Sequence, residues 1–441
     1  MVIHTLNSVV LFIFVNKITE TYNNTDEKII SNYWFAFFVS TIFAIHPQRA
    51  EAVVWISELK EVLCTLFYII SLIFYLKYIN INNLRFYYYA LLFFTLALLA
   101  KPMAVSLPLI LILLDVCKLK QQGKSIGLNI FYNKFIFIVF SVITGLISIK
   151  AQQSTNAIFS DLTVTQKIFH VFISYFYYLQ LLFYPENLSI YYTSSGIADS
   201  IYYMVLSALI ISGVSFFLIK QKNILTFGWY WFLLTLLPVI GVIKVGGQFI
   251  ADRYTYLSHI GIYFILFYLI NIIWRKKQNF RYLVLLVLFL WSAMLFSFSI
   301  NYIEKWSNDF DLWNNALKNS ENNFVASYNI GTLYLKENNI TIAEQYLLKS
   351  VEMNPLMTEA YINLGIICQL NKKYDESIKF YKKALKLQPD IFEAWFNLSD
   401  VYFESNRYDL AIKCLRQCKR LMPENKEVSI NLSILLQRQN N

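Results

Sequence analysis

The chain has 441 residues, of which 57% are hydrophobic and only 15% charged, and its net charge is +10. A soluble protein has about a quarter of its residues charged, so this composition excludes an ordinary soluble globular protein. From Glu304 onward there are 17 basic and 17 acidic residues, so the whole positive excess lies before that residue, in short loops between apolar runs. This distribution indicates membrane topology rather than a basic face for nucleic acid, and no nucleic-acid partner is expected.

Apolar segments follow one another through the first 300 residues and predict a polytopic helical membrane domain. Several are shorter than the about 20 residues that cross a bilayer, but Tyr and Trp at their ends suit the membrane interface. The segments are residues 2–18, 32–45, 62–78, 86–100, 103–117, 135–149, 169–184, 201–219, 227–243, 256–273 and 282–300.

Basic loops predict the orientation of this domain, because Lys and Arg concentrate on the cytoplasmic side. These loops are residues 77–85, 118–134, 220–222 and 275–281. Three apolar segments separate the second loop from the third, so one does not cross, and we expect the Tyr-rich segment 169–184 to lie in the interface or to re-enter the membrane. The domain, residues 1–303, then has about ten crossings. The loops predicted outside the cytoplasm are 46–61, 101–102, 150–167, 184–200 and 244–255.

The last part of the chain has a period of 34 residues, which is the tetratricopeptide period of one helix–turn–helix unit. Three full repeats are predicted at about 324–355, 358–389 and 392–423, with flanking half-repeats, in a domain of residues 304–441. The fold class is therefore all-α, a membrane domain followed by an α-solenoid whose groove binds a protein or peptide. Counting the membrane crossings after the last basic, cytoplasmic loop predicts that this solenoid lies outside the cytoplasm. The periodic residues are Asn329, Asn363, Asn397 and Asn431, with Pro355, Pro389 and Pro423.

A first polar cluster follows the second apolar segment. Polar side chains beside a membrane are costly, so each is a functional candidate. If the stretch is helical, Glu51, Glu58 and Lys60 face one cavity. Alternatively, Arg49 pairs with Glu51, and Glu58 and Glu61 are salt-bridged caps of the loop.

A second candidate is Lys101, which precedes a helix-breaking proline, Pro102. Lys101 either anchors the chain at the interface or meets a phosphate as a point charge.

A third cluster places the glycine pair Gly246 and Gly247 before Asp252 and Arg253. Arg253 suits a bidentate contact with phosphate. The alternative is an Asp252–Arg253 pair that anchors a helix end.

Two histidines, His170 and His259, lie at the ends of apolar segments. Neither has a partner at the spacing of metal ligands, so no metal site is predicted. The sequence also lacks a hydrolase nucleophile elbow and a phosphate-binding glycine loop, and no cofactor is expected.

Several motifs occur in a fixed order before the repeats: His46-Pro47, Glu51-Ala52-Val53, Ser57-Glu58, Lys60-Glu61-Val62, Lys101-Pro102-Met103, Leu107-Pro108, Leu114-Asp115, Pro238-Val239-Ile240-Gly241, and Ala251-Asp252-Arg253-Tyr254-Thr255-Tyr256-Leu257. In this order they resemble the transmembrane and tetratricopeptide-repeat family over nearly the whole chain. These proteins are membrane glycosyltransferases of the GT-C type, and the animal members are O-mannosyltransferases.

The resemblance implies a site at the outer membrane face, where a polyprenyl-phosphate sugar is the donor and a carboxylate deprotonates an acceptor hydroxyl. Cations then stabilise the leaving phosphate. Arg253 and Lys101 are the candidates for the phosphate side, and Glu51 and Glu58 for supporting acid–base work. Further substrate-binding candidates are His46, Arg49, Lys60, Asp252 and Tyr254. The expected partners are membrane lipids, the lipid-linked sugar, and a protein or peptide held by the repeats.

The family also carries an acidic pair in the loop after its first transmembrane helix, and here no acidic residue precedes Glu20. The segment 1–7 resembles instead the start of the second helix, with His4 and Asn7 as its His-x-x-Asn motif. We therefore expect a glycosyltransferase-like protein whose sequence lacks the first helix and its acidic loop. A second hypothesis is a non-catalytic membrane scaffold that binds proteins through its repeats. A bacterial inner membrane is favoured over the endoplasmic reticulum.

Overall fold

The computed structural model describes residues 1–22, 32–122, 127, 129–154, 163–193, 201–219, 224–241, 248, 250–276 and 278–440. Every regular element in these ranges is helical, which confirms the predicted all-α class. The chain divides into two compact units, Met1–Ser307 and Asn308–Asn441. The predicted basic loop 220–222 and the glycine pair Gly246 and Gly247 lie outside the described residues.

The first unit is built from helices joined by short 3-10 turns. Its helices are α1 (Val2–Tyr22), α2 (Asn32–Ile45), α3 (Ala50–Val54), α4 (Leu59–Ile81), α5 (Leu84–Ala100), α6 (Leu107–Gln121), α7 (Asn129–Tyr132), α8 (Phe135–Ser154), α9 (Val164–Phe183), α10 (Ile201–Ile219), α11 (Ile224–Leu236), α12 (Thr255–Lys276) and α13 (Arg281–Lys305). The 3-10 turns are Pro47–Arg49, Ile56–Glu58, Pro102–Ser106, Asp252–Tyr254 and Gln278–Phe280.

Seven of the described helical stretches are long and apolar enough to cross a membrane. The helix α9 is not among them although it has 20 residues, and it covers most of the segment predicted to lie in the interface. The number of crossings and the position of α9 stay predictions. The seven stretches are Val2–Glu20, Ile56–Ile81, Pro102–Leu119, Phe135–Gln153, Tyr202–Ile219, Asp252–Trp274 and Arg281–Lys305, with shorter apolar helices at Tyr33–Ile45, Leu84–Ala100 and Ile224–Leu236.

The helices α11 and α12 are in backbone contact, because each carries a glycine at the crossing point. A Cβ atom added to Gly228 would lie 2.3 Å from the carbonyl oxygen of Gly261, and the reverse distance is also 2.3 Å. Close approach of this kind contributes van der Waals packing between apolar helices. One turn away, Trp231 donates a hydrogen bond from Nε1 to the carbonyl oxygen of Leu257 at 3.0 Å, which fixes how the two helices are rotated.

Four of the 3-10 turns lie at helix ends and bring the predicted polar clusters together. The turn Pro47–Arg49 follows α2, and it packs against the turn Asp252–Tyr254 that precedes α12 and against α13. The turns Ile56–Glu58 and Pro102–Ser106 precede α4 and α6. Because each polar cluster lies in or beside one of these turns, residues far apart in the sequence meet at one end of the unit.

The second unit consists of paired helices that match the predicted repeats. The pairs α15–α16, α17–α18 and α19–α20 form three helical hairpins, with α14 before them and α21 after them. Their bounds are α14 (Asp309–Asn319), α15 (Phe324–Lys336), α16 (Ile340–Met353), α17 (Thr358–Leu370), α18 (Tyr374–Leu387), α19 (Phe392–Glu404), α20 (Tyr408–Leu421) and α21 (Lys426–Asn440).

The turn inside each repeat has the same backbone conformation. Asn338, Lys372 and Asn406 have φ angles of 62°, 57° and 58°, and they recur at the period of the sequence. This left-handed conformation ends the first helix of each pair. The next N–H then bonds back into that helix, as Asn339 does to the carbonyl oxygen of Tyr334 at 2.9 Å.

Small residues set the distance between the two helices of a repeat. A Cβ atom on Gly365 would lie 2.6 Å from the ring of Tyr381, so only glycine fits there without movement. Ser377 donates a hydrogen bond to the carbonyl oxygen of Gly365 at 2.7 Å. The small residues Ala343, Ser377 and Ala411 recur at the repeat period and are all fully buried, as a repeat core requires.

Candidate functional site

A group of ion-paired side chains lies where the 3-10 turns of the first unit meet. Three are anionic and three are cationic, so the group as a whole is neutral. Among the described residues, its carboxylates do not group with other ligands in the manner of a metal site. We call it the charged cluster, and its members are Glu51, Glu58, Glu61, Lys60, Lys101 and Arg253.

Glu51 holds Arg253 through two contacts. Its carboxylate accepts a hydrogen bond from the backbone N–H of Arg253 at 2.8 Å and forms an ion pair with the guanidinium. Glu51 is buried, and burial raises the pKa of its carboxyl group, while Arg253 opposes the rise. The guanidinium also lies over the rings of Trp55 and Tyr254, at 5.8 Å and 5.1 Å from the ring centroids. The guanidinium is therefore fixed in both position and plane.

Glu58 lies among three cations. Its carboxylate is 3.3 Å from Lys101 Nζ, 3.4 Å from Arg253 Nε and 3.6 Å from Lys60 Nζ. The side chain of Glu58 is only 6% exposed, whereas that of Lys60 is 50% exposed. Lys60 is thus the most exposed of the three cations, since the side chains of Lys101 and Arg253 are only 13% and 12% exposed.

Lys101 bridges two carboxylates. It pairs with Glu58 and with the fully buried Glu61. Burial lowers the pKa of Lys101, but the charges of Glu61 and Glu58 outweigh that effect and raise the pKa above its usual value. The ammonium also lies 5.6 Å from the ring centroid of Tyr254. Tyr254 therefore contacts both buried cations of the cluster.

Asp252 takes no part in an ion pair with Arg253, so the pair considered as an alternative does not form. Its buried carboxylate accepts hydrogen bonds from Nε2 of Gln48 at 3.1 Å and from the hydroxyl of Tyr192 at 2.9 Å. Asp252 thereby ties the turn before α12 to the turn after α2 and to the loop after α9.

Arg49 likewise contacts α12 and not Glu51. Its guanidinium donates hydrogen bonds to the hydroxyl of Thr255 at 3.2 Å and to that of Tyr263 at 3.1 Å. Arg49 is buried, so these contacts anchor the turn Pro47–Arg49 against the first three turns of α12.

Both ring nitrogens of His46 are used within the protein. Nδ1 accepts a hydrogen bond from the backbone N–H of Gln48 at 3.3 Å, so Nε2 carries the proton and donates to the carbonyl oxygen of Leu182 at 3.0 Å. Burial, together with the charge of Arg49, lowers the pKa of His46 to about 3. His46 is therefore neutral and holds the loop in place.

The His-x-x-Asn motif of α1 reaches the same region. His4 Nδ1 lies 2.6 Å from the hydroxyl of Tyr256, and Asn7 donates to that hydroxyl at 3.1 Å. Asn7 also donates to the carbonyl oxygen of Val62 at 2.8 Å. The motif thus links α1 to Tyr256 at the start of α12 and to Val62 of α4.

The structure brings together all the residues predicted for the site, and their roles in binding or catalysis stay predictions. Sequence reasoning assigned no site role to Glu61, Gln48 or Tyr192. Glu61 lies inside a motif already singled out and Gln48 directly follows one, so their positions near Glu58 and Arg49 were an available signal. Tyr192 comes from a loop with no comparable motif, and only the fold places it beside Asp252.

An apolar groove of about 360 Å³ lies away from the charged cluster. It is formed by α2, α12 and α13 near the ends opposite to the cluster. Trp274 lines it about 30 Å along α12 from the turn that carries Arg253. The groove is therefore separate from the candidate site. Its lining includes Trp34, Phe38, Phe267, Asn271, Trp274 and Leu288.

Comparison with known proteins identifies the second unit. Two family models described as tetratricopeptide repeat match residues 325–355 and 356–424. The unit is therefore a tetratricopeptide-repeat domain, a class of helical solenoid whose concave surface binds other molecules. No curated protein matches the chain.

Solved structures similar to the chain include two tetratricopeptide-repeat domains and a MamA protein. The first repeat domain of Spaghetti (RPAP3), bound to an HSP90 peptide, is 18% identical, with 27% of this chain and 94% of that chain covered and a TM-score of 0.26. The Arabidopsis OM64 domain is 17% identical, with 25% and 93% covered and a TM-score of 0.25. A MamA protein is 20% identical, with 31% and 77% covered and a TM-score of 0.29.

Proposed function

We propose that the protein is a GT-C-type membrane glycosyltransferase. It transfers a sugar of the mannose type from a polyprenyl-phosphate donor to an extracytoplasmic protein that the repeat domain recruits. The observation that carries this proposal is the charged cluster, which presents carboxylates and cations together at the ends of apolar helices. The motif resemblance described above supports the same conclusion.

The reaction requires two kinds of charge in one place. The bond between the sugar C1 and the phosphate oxygen breaks, C1 bonds to the acceptor oxygen, and the hydroxyl proton passes to a carboxylate. Negative charge then remains on the polyprenyl phosphate, where cations stabilise it. In the proposal, Arg253 and Lys101 serve the phosphate, and Glu51 and Glu58 support the proton transfer.

A phosphate reaches this cluster most readily through Lys60. The side chain of Lys60 is half exposed and its pair with Glu58 is long, at 3.6 Å, so a phosphate competes for Lys60 at little cost. Arg253 and Lys101 are already paired with buried carboxylates. In the proposal the phosphate takes the place of the Glu58 carboxylate, which lies 3.3 Å from Lys101 Nζ and 3.4 Å from Arg253 Nε.

Transfer of labelled sugar by the purified protein in lipid discs tests this proposal. The Arg253→Lys variant is expected to lose about 100-fold in transfer rate, because an ammonium cannot replace a stacked, forked guanidinium. Arg281→Lys is the matched control, since Arg281 also lies over a ring, that of Trp274 at 5.4 Å, but near the apolar groove. Thermal unfolding of each variant separates lost chemistry from lost folding. Full transfer by Arg253→Lys contradicts the assigned site, and no transfer by the unmodified protein contradicts the proposal.

A non-catalytic scaffold is the second candidate function. It is favoured by the pairing of the buried cations Lys101 and Arg253 with glutamates, which is the pattern of a structural ion-pair network. Under this alternative, we expect the protein to bind peptides through its repeats but to transfer no sugar from polyprenyl-phosphate donors.

A further inference from the structure

We propose that the groove of the repeat domain binds an extended segment rich in Lys or Arg that also carries apolar side chains. This inference rests on the proposed function in one respect, that the repeats recruit a protein. It adds the charge and polarity of the segment that the repeats bind.

The groove lies between successive first helices of the repeats. It has a volume of about 550 Å³, large enough for several side chains of a peptide. Two acidic residues and one lysine lie in its wall, which also includes apolar and amide side chains. The wall is formed by Ile366, Gln369, Leu370, Lys372, Tyr374, Glu393, Asn397 and Glu404.

Acidic side chains continue beyond this wall along the first helices. Burial raises the pKa of Asp400 to about 6, and the nearby charges of Glu404 and Glu427 add to the rise. Burial also raises the pKa of Tyr328, and Glu359 and Glu393 add to that rise. Glu359 and Glu393 thus lie near the same tyrosine, and Asp400 lies near both Glu404 and Glu427.

Basic residues concentrate instead on the second helices of the repeats. The helices α18 and α20 carry eight basic and three acidic residues, whereas α17 and α19 carry four acidic residues and no basic one. An acidic groove opposed by a basic outer face repels acidic segments and attracts basic ones. The exposed basic residues of α18 and α20 are Lys379, Lys382, Lys383, Lys386, Lys413, Arg416, Lys419 and Arg420.

Apolar side chains are exposed on the same first helices as the carboxylates. Leu370 is 58% exposed and Phe403 is 37% exposed, and Ile430 and Ile434 of the capping helix are 57% and 44% exposed. Arg438 places its guanidinium 5.4 Å from the ring centroid of Phe403, so this surface already holds a cation over an aromatic ring. A segment with alternating basic and apolar side chains satisfies both features.

Binding of two short peptides to the full chain in lipid discs tests the inference. One peptide is composed of Lys, Val and Ala, and the other has Glu in place of every Lys; empty discs serve as the blank. The basic peptide is expected to bind at least about tenfold more tightly at low salt, with the difference shrinking as salt is added.

Charge reversal in the groove provides the matched comparison. The double variant E393K/E404K is expected to weaken binding of the basic peptide about tenfold. The control E352K/E424K reverses two exposed glutamates outside the groove wall and is expected to bind as the unmodified protein does.

The inference is overturned if both peptides bind equally, if the acidic peptide binds more tightly, or if E393K/E404K binds normally. It is also overturned if E393K/E404K alters the oligomeric state, because the groove is then occupied by a second copy. The peptide-binding assay contains no sugar donor and is independent of the transfer assay described under the proposed function. Selective peptide binding together with a negative transfer assay therefore contradicts only the proposed function. Sugar transfer without selective peptide binding contradicts only this inference.

Discussion

At the scale of single residues, the charged cluster is defined by how little freedom its members have. Glu51 and Glu61 are fully buried, and each is paired with a cation that is itself at most 13% exposed. A buried ion pair responds asymmetrically to mutation, because removal of one partner leaves the other charge in an apolar environment. The cluster therefore contributes to folding as well as to any chemistry.

Replacement of Glu51 with alanine is expected to lower the free energy of unfolding by about 3 kcal/mol, because Arg253 stays buried without its main partner. The loss falls at the lower end of the usual range since Glu58 remains 3.4 Å from Arg253. Lys60→Ala is the control, as a half-exposed pair contributes about 0–1 kcal/mol. Denaturant unfolding of both variants in one detergent measures the difference, and equal destabilisation contradicts the pairing described.

The residues of the cluster could be predicted from the sequence, but their pairing could not. Polar side chains beside apolar segments stand out because their burial is costly. Arg253 and Glu51, however, are separated by 202 positions, and their contact depends on two 3-10 turns meeting in space. For the same reason the sequence suggested an ion pair between Asp252 and Arg253. In the structure Asp252 instead accepts hydrogen bonds from Gln48 and Tyr192.

At the scale of the elements, the packing of α11 against α12 depends on two glycines. No side chain fits between Gly228 and Gly261 at their present separation. By contrast, a Cβ atom on Gly213 of α10 meets nothing within 4 Å. The two positions therefore predict opposite effects of the same substitution.

Gly228→Ala is expected to destabilise the first unit by about 1–3 kcal/mol, because the helices must move apart to admit the methyl group. Gly213→Ala is expected to be neutral or to stabilise by up to about 1 kcal/mol, since alanine favours the helix. Thermal unfolding in detergent, followed by tryptophan fluorescence, compares the two variants. A stable Gly228→Ala together with an unstable Gly213→Ala is the outcome that rules out this packing.

The elements differ in how well the sequence predicts them. The repeat helices follow from the 34-residue period of the sequence, and the positive φ angles of Asn338, Lys372 and Asn406 recur in the structure at that period. The apolar helices follow from composition. The 3-10 turns that build the candidate site were not predicted, because short turns of this kind are fixed by the contacts they make and not by local pattern.

At the scale of the whole molecule, the chain joins an apolar helical unit to a tetratricopeptide-repeat domain. The proposed function requires that the charged cluster and the repeats act on the same, extracytoplasmic side of the membrane. This common side is inferred from the distribution of Lys and Arg among the loops.

Labelling of single introduced cysteines in intact cells measures on which side of the membrane each region lies. The five native cysteines are buried, so a membrane-impermeant maleimide reports mainly on the new ones. Lys349→Cys lies on an exposed position of the repeats, and Gly127→Cys lies in the predicted cytoplasmic loop with open space around it. With the proposed orientation, we expect Lys349→Cys to be labelled in intact cells and Gly127→Cys only after the membrane is permeabilised. The opposite pattern, with Gly127→Cys labelled from outside and Lys349→Cys protected, would contradict it.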